Sequence, residues 1–158
     1  MSSYIEFYIK AGATYAPIAS NSRSSHIYQA FQYKVPYEEA RALTKADLDE
    51  VRNDMNLERT RMEKELTALN EKLEWLKSSN LPIDERMQAY DDAREMIDYY
   101  KEEIDAVGRV IDFCIFLDDI LDEIRYLPDT AAKLEVDADH YIYCGIDCGN
   151  PGFKDLEE

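Results

Sequence analysis

Hydrophobic and polar positions along this chain change period twice. Residues 4–10, Tyr-Ile-Glu-Phe-Tyr-Ile-Lys, are aromatic and β-branched without Gly or Pro, which favours a strand. The following Ala-Gly-Ala-Thr-Tyr-Ala-Pro-Ile-Ala-Ser-Asn-Ser reads as a loop. A second strand is expected through His26-Ile27-Tyr28-Gln29-Ala30-Phe31, and a third through Tyr141-Ile142-Tyr143-Cys144. An isolated strand leaves its backbone N–H and C=O groups unsatisfied, so strands from the two ends of the chain should meet in one small sheet.

Between these strands the apolar period becomes helical. Pro36 at a first-turn position, followed by Tyr-Glu-Glu-Ala-Arg-Ala-Leu, predicts a short helix. Thr44 with Asp47 three residues later is a capping arrangement, with Asp where Glu is commoner, and opens a helix that meets no Gly or Pro before Lys77. Met55, Met62, Leu66, Leu69, Leu73 and Leu76 form its seam, with an unbroken 4-3-4-3 repeat from Met62 and Arg59 as the polar interruption. Ser78-Ser79-Asn80-Leu81-Pro82 stops this helix, and Asp84 starts another that runs to about Tyr126, before Pro128. Its seam is Ile97, Tyr100, Ile104, Val107, Ile111 and Cys114, spaced 3-4-3-4-3. The short loop makes the two helices antiparallel, and at 1.5 Å per residue they measure roughly 50 and 64 Å. From Val110 to Leu117 the stripe becomes apolar on nearly all sides, which predicts burial on several faces, and Gly108 just before it is a position for a bend.

The expected fold class is therefore α+β: a small antiparallel sheet of N- and C-terminal strands, with a long antiparallel helical hairpin inserted between them. Residues 1–44 and 109–150 form the β-containing platform, residues 45–108 a projecting coiled-coil hairpin, and residues 151–158 an acidic tail.

Composition adds limits. With 158 residues, 46% of them hydrophobic and 33% charged, the chain has enough apolar material for a core and too much for a disordered acidic polymer. No stretch approaches the roughly 20 apolar residues of a membrane span, and no basic region leads into an apolar run at the start, so a cytoplasmic protein is expected. Three cysteines argue against a disulfide scaffold, and Cys114 should pack as a small hydrophobe. His26, His140, Cys144 and Cys148 would supply a zinc set only if two strands brought them together. As ordinary extended residues, Cys144 and Cys148 lie about 13 Å apart. No metal and no cofactor is assigned.

The net charge of −16 changes the picture further, because it is unevenly placed. Residues 1–44 carry four basic and three acidic side chains, residues 45–80 seven and nine, residues 81–127 five and fourteen, and residues 128–158 two and eight. The second long helix and the tail thus hold nearly all of the excess. Such a surface repels phosphates and anionic lipids, which disfavours direct nucleic-acid or membrane binding and favours a basic partner or a cation. Asp84, Asp91, Asp98, Asp105, Asp112 and Asp119 recur every seven residues, with Glu95 and Glu102 between them. In the heptad frame these face away from the partner helix. Seven residues advance about 10.5 Å, close to three phosphate steps of 3.4 Å along one DNA strand. Asp91, Glu95, Asp98, Glu102 and Asp105 are accordingly the candidate partner-binding residues. The plainer alternative is a solvated face partly neutralised by Arg94, Lys101 and Arg109.

Two further acidic features bear on chemistry. Asp112 has apolar neighbours and would need a donor if buried. Asp118 over Asp122, and Asp119 over Glu123, are spaced to hold Mg²⁺ with a phosphate substrate, although no second acidic motif faces them. Nucleophilic catalysis has no support: there is no G-x-S-x-G context, and the five glycines, at 12, 108, 145, 149 and 152, form no phosphate loop. The sequence therefore favours a non-enzymatic protein that binds, and by binding inhibits or sequesters, a basic nucleic-acid-binding protein, as mobile-element-encoded nucleic-acid mimics do. Two alternatives stay open. One is a structural coiled coil that self-associates or scaffolds partners. The other is a small-ligand module using the tyrosines at 4, 8, 15, 28 and 33.

Overall fold

In the computed structural model, residues 4–11, 14–35, 40–126 and 142–147 are described. The elements run β1 (Tyr4–Ala11), β2 (Thr14–Ser22), α1 (His26–Phe31), β3 (Ala40–Leu43), α2 (Lys45–Lys77), α3 (Ile83–Tyr126) and β4 (Ile142–Asp147). The four strands form one antiparallel sheet in the order β2-β1-β4-β3, joining the two ends of the chain, and α2 and α3 form an antiparallel hairpin between them. The α+β architecture is as expected. The chain divides into two compact units, one of residues 1–53 with 110–158, the other Asp54–Arg109.

In the strand-bearing unit, alternation on β1 sends Ile5 and Phe7 to one face, where they meet Ile146 and Cys144 across the β1–β4 ladder. Leu43 pairs with Ile142, and all six of these side chains are buried. Phe7 packs edge-to-face on Phe31 of α1 at 5.1 Å and on Phe113 of α3 at 4.8 Å, and Phe31 meets Phe113 at 6.1 Å, closing an aromatic triangle over the sheet.

Three local expectations are corrected. Residues 14–22 are a strand and not a loop: small residues and Pro17 have weak strand propensity, but pairing along the full length of β1 overrides it. The register slips by one residue between Phe7 and Tyr8, opposite Ala19 and Pro17, and a proline that cannot donate to a ladder sits here on an edge strand. Residues 26–31 are a helix and not a strand. The Ser25 side chain accepts the Ile27 N–H at 3.2 Å, and this cap turns the chain so that Tyr28 and Phe31, three apart, are buried together. Residues 40–43, expected as the end of a short helix, pair with β4 instead, and residues 36–39 of that expected helix lie outside the described residues.

The long helices follow their periodicity. α2 buries Leu48, Val51, Met62 and Leu76 along one stripe, and α3 buries Ala93, Ile97, Ala106 and Val107. Helix α3 stays helical through Gly108, where an added Cβ would meet open space. Beyond it the buried positions are Val110, Ile111, Cys114, Leu117 and Leu121, which is close to a single 3-4 stripe. Ile115 and Phe116 are exposed, so the expected burial on several faces is corrected to burial mainly on one. Asp112 likewise faces solvent, so no buried carboxylate needs compensation there.

Burial governs the thiols. Cys114 is pushed up to about 12 by desolvation, with Arg52 acting weakly in the opposite direction, and full burial raises Cys144 well above the usual value. Neither should react with iodoacetamide at mildly alkaline pH in the folded protein, and both should react in urea. Peptide mass spectrometry of the alkylated chain checks this, and native labelling of either would contradict the packing. Because folded Cys114 keeps its proton while the unfolded thiol loses it near 9.0, this linkage favours folding below that pH and is lost between there and about 12.

Candidate functional site

The Asp54–Arg109 unit holds all five candidate acids, and their placement follows from helical spacing. Asp91, Glu95, Asp98, Glu102 and Asp105 advance by four and three residues, which keeps them on one stripe of α3. Ala93, Ile97 and Val107 occupy the opposite side and are buried, so packing of the seam fixes which way the acids point. All five are exposed. Consecutive aspartates stand one heptad apart, about 10.5 Å along the axis.

Some carboxylates of α2 are engaged by bases of the same helix, while Asp54, Glu63, Glu65 and Glu71 are exposed and bridge to no base among the described residues. On α2, Arg61 pairs with Glu58 and Lys77 with Glu74, both at i,i+3. The Arg61 hydrogen bond holds the Glu58 carboxyl below its ordinary range, and the Glu74 hydrogen bond raises Lys77. Along the α3 stripe, none of the five acids takes part in a side-chain hydrogen bond or ion pair among the described residues. Arg94, expected as a neutralising neighbour, lies over the Tyr90 ring at 5.9 Å, and Lys101 and Arg109 bridge to none of the five.

Beside the first acid of the stripe, the closed end of the hairpin carries a cleft that the spacing argument does not reveal. Its volume is about 340 Å³, and Leu76, Lys77, Arg86, Met87, Tyr90 and Asp91 line it. The signal in the sequence is Met87, an apolar residue off the seam, with Trp75 and Ile83 near it in sequence but outside the lining. Single off-seam apolar residues are common enough on helices to pass unremarked.

Elsewhere the candidate chemistry is dispersed or already occupied. Lys45 places its ammonium 2.6 Å from Asp122 and 3.6 Å from Asp118, so a side-chain cation occupies the acid pair spaced for Mg²⁺. Among the described residues no group of three or more His, Cys, Asp or Glu is arranged to hold a metal ion. His26 opens α1, Cys144 is buried in the sheet, and His140 and Cys148 lie outside the described residues. Of the five tyrosines, Tyr8 and Tyr28 are buried, Tyr4 and Tyr33 are exposed, and the side chain of Tyr15 lies outside the described residues. No described helix is long and apolar enough to cross a membrane. Comparison of the chain with protein-family models, curated proteins and solved structures finds no match.

Proposed function

We propose that this chain is a non-enzymatic interaction protein whose α3 stripe binds a positively charged surface of another protein. In the sharper form of this reading it occupies the nucleic-acid groove of a DNA- or RNA-binding protein and so inhibits or sequesters it. The observation that carries the proposal is the stripe itself: five exposed acids share one face of α3 at a regular pitch and have no partner among the described residues, whereas the exposed, unbridged acids of α2, Asp54, Glu63, Glu65 and Glu71, are spread around that helix. Unpaired carboxylates at a regular pitch keep their full charge for an incoming cationic surface, and they steer encounter over about a Debye length.

The test measures affinity for an oligo-arginine peptide, and displacement of duplex DNA from a basic DNA-binding protein, as functions of salt. The variant Asp91→Asn/Asp98→Asn/Glu102→Gln/Asp105→Asn is expected to bind about tenfold more weakly at low salt, with a shallower salt dependence. The control Asp54→Asn/Glu63→Gln/Glu65→Gln/Glu71→Gln removes the same charge from exposed positions on α2. It should bind nearly as the unaltered protein does. Equal losses in the two variants, or none in the first, would remove the stripe as the binding face.

A further inference from the structure

We propose that the cleft at the closed end of the hairpin is an anchor pocket for an amphipathic, Lys/Arg-bearing protein segment. One aliphatic or aromatic side chain of that segment enters the cleft while its basic residues lie along Asp91, Asp98 and Asp105. This rests on the reading of the α3 stripe as the interaction face and specifies the partner that the face selects.

The argument begins with apolar exposure. Ile83 is 63% exposed, Met87 59%, Trp75 57% and Leu81 36%, all within the last turn of α2, the connection, or the first turns of α3. Four large apolar side chains left in water around one helix–helix connection cost solvation free energy that a monomer avoids by substitution, and such clusters mark contact surfaces. The cleft at this connection is lined by buried Leu76 with Met87 and Tyr90, has a volume suited to one large side chain, and carries a flexible thioether that adapts to its occupant.

Charge identifies the occupant. Of the two cations at the cleft, Lys77 is paired with Glu74 at 2.8 Å, while Arg86 donates to the Ser79 carbonyl at 3.4 Å, which holds the guanidinium at the connection and leaves its charge in place. Asp91 has no bridge among the described residues, and it is also the first acid of the stripe, so beyond Arg86 the cleft opens onto a row of negative charge without such bridges. A segment with an apolar anchor followed by basic residues satisfies both features at once. A second copy of this acidic chain would bring Asp84, Glu85 and Asp91 of two molecules together, and an anionic lipid surface would be repelled by the same residues.

Trp75 is the single tryptophan, exposed and next in sequence to Leu76 of the cleft, so its fluorescence reports binding to the full chain at this end of the hairpin. Three tryptophan-free peptides serve as probes: an amphipathic Leu/Lys helix, the same peptide with Gln for Leu, and the same peptide with Glu for Lys. The Leu/Lys peptide is expected to bind about tenfold more tightly than either of the others. Met87→Gln, and separately Ile83→Gln, should remove most of that advantage without altering the Gln/Lys peptide; both residues are exposed, and far-UV circular dichroism verifies their folding. Asp91→Asn/Asp98→Asn/Asp105→Asn should weaken the Leu/Lys and Gln/Lys peptides alike. Equal binding of those two peptides, with Met87→Gln silent, overturns the anchor pocket and leaves the acidic-face reading standing. Sensitivity to Met87→Gln without sensitivity to the aspartates overturns both. A Trp75 shift on zwitterionic phosphatidylcholine vesicles, or a concentration-dependent mass in light scattering abolished by Met87→Gln, assigns the patch to lipid or to self-association and also overturns the proposal.

Discussion

Phe7→Ala should lower the stability of the strand-bearing unit by about 3–5 kcal/mol, enough to leave it largely unfolded if its stability lies at the low end of the usual range. The residue has no solvent exposure and is the vertex at which sheet, α1 and α3 meet. Truncation removes the transfer free energy of an aromatic ring, about 0.5–1.5 kcal/mol for each of two edge-to-face contacts, and the dispersion of atoms that then face a void. The cavity cannot readily collapse, because Phe31 and Phe113 are held at 6.1 Å by different helices and β1 is hydrogen-bonded on both sides. Phe116→Ala supplies the comparison: three residues from Phe113 on α3 and about half exposed, it should shift stability by no more than about 0.5–1 kcal/mol. Urea unfolding followed by circular dichroism measures both. A loss below about 1.5 kcal/mol for Phe7→Ala would show that the aromatic triangle is not the centre of this core.

Phe7 also illustrates what the sequence made readable. Its strand was legible because alternating aromatic and β-branched residues act locally and redundantly, and the two long helices were legible because a heptad seam repeats its signal over many turns. Short elements lack that redundancy. In His26–Phe31, apolar side chains at 27, 28 and 31 fit either period, and the Ser25 hydroxyl, one hydrogen bond outside the segment, decides for helix. In Ala40–Leu43, good helix formers are drawn into a strand by the vacant edge of β4, about a hundred residues away along the chain, which no local pattern announces.

The acidic stripe divides in the same way. That Asp91, Glu95, Asp98, Glu102 and Asp105 share a solvent-facing row follows from spacing alone. That Arg94 turns to Tyr90 does not, because a base at i−4 or i+3 from an acid is equally well placed for an aromatic ring. Ring burial and carboxylate hydration settle that competition in three dimensions. The tip cleft was hidden for a related reason: it is made by residues of two helices meeting across a turn, α2 contributing its last seam residue, Leu76, and α3 only Met87 and Tyr90, which precede its seam.

Asp47→Ala should cost about 2–3 kcal/mol, far more than its surface-like sequence neighbourhood suggests. Asp47 is the buried charged side chain among the described residues, and its carboxylate accepts the Thr44 N–H at 3.0 Å, the Thr44 hydroxyl at 3.1 Å and the Arg41 guanidinium at 3.1 and 3.3 Å. Its own N–H is received by Thr44 Oγ1 at 3.2 Å, which completes a capping box built with the shorter acid. The same Arg41 donates to the Lys34 carbonyl at 2.7 Å, so one carboxylate ties the start of α2 to β3 and, through Arg41, to the turn before it. Alanine gains a little helix propensity but strands the Thr44 N–H and leaves a half-exposed guanidinium with one partner fewer. Asparagine retains one acceptor and should lose only about half as much. In a double-mutant cycle with Arg41→Ala, the coupling should be about 1 kcal/mol, because the pair is partly shielded on the carboxylate side only. Faster amide exchange at Thr44 in Asp47→Ala would locate the loss at this corner. An unfolding free energy within about 0.5 kcal/mol of the unaltered protein would show that solvent replaces the cap, and that pairing of β3 with β4 alone positions the start of α2.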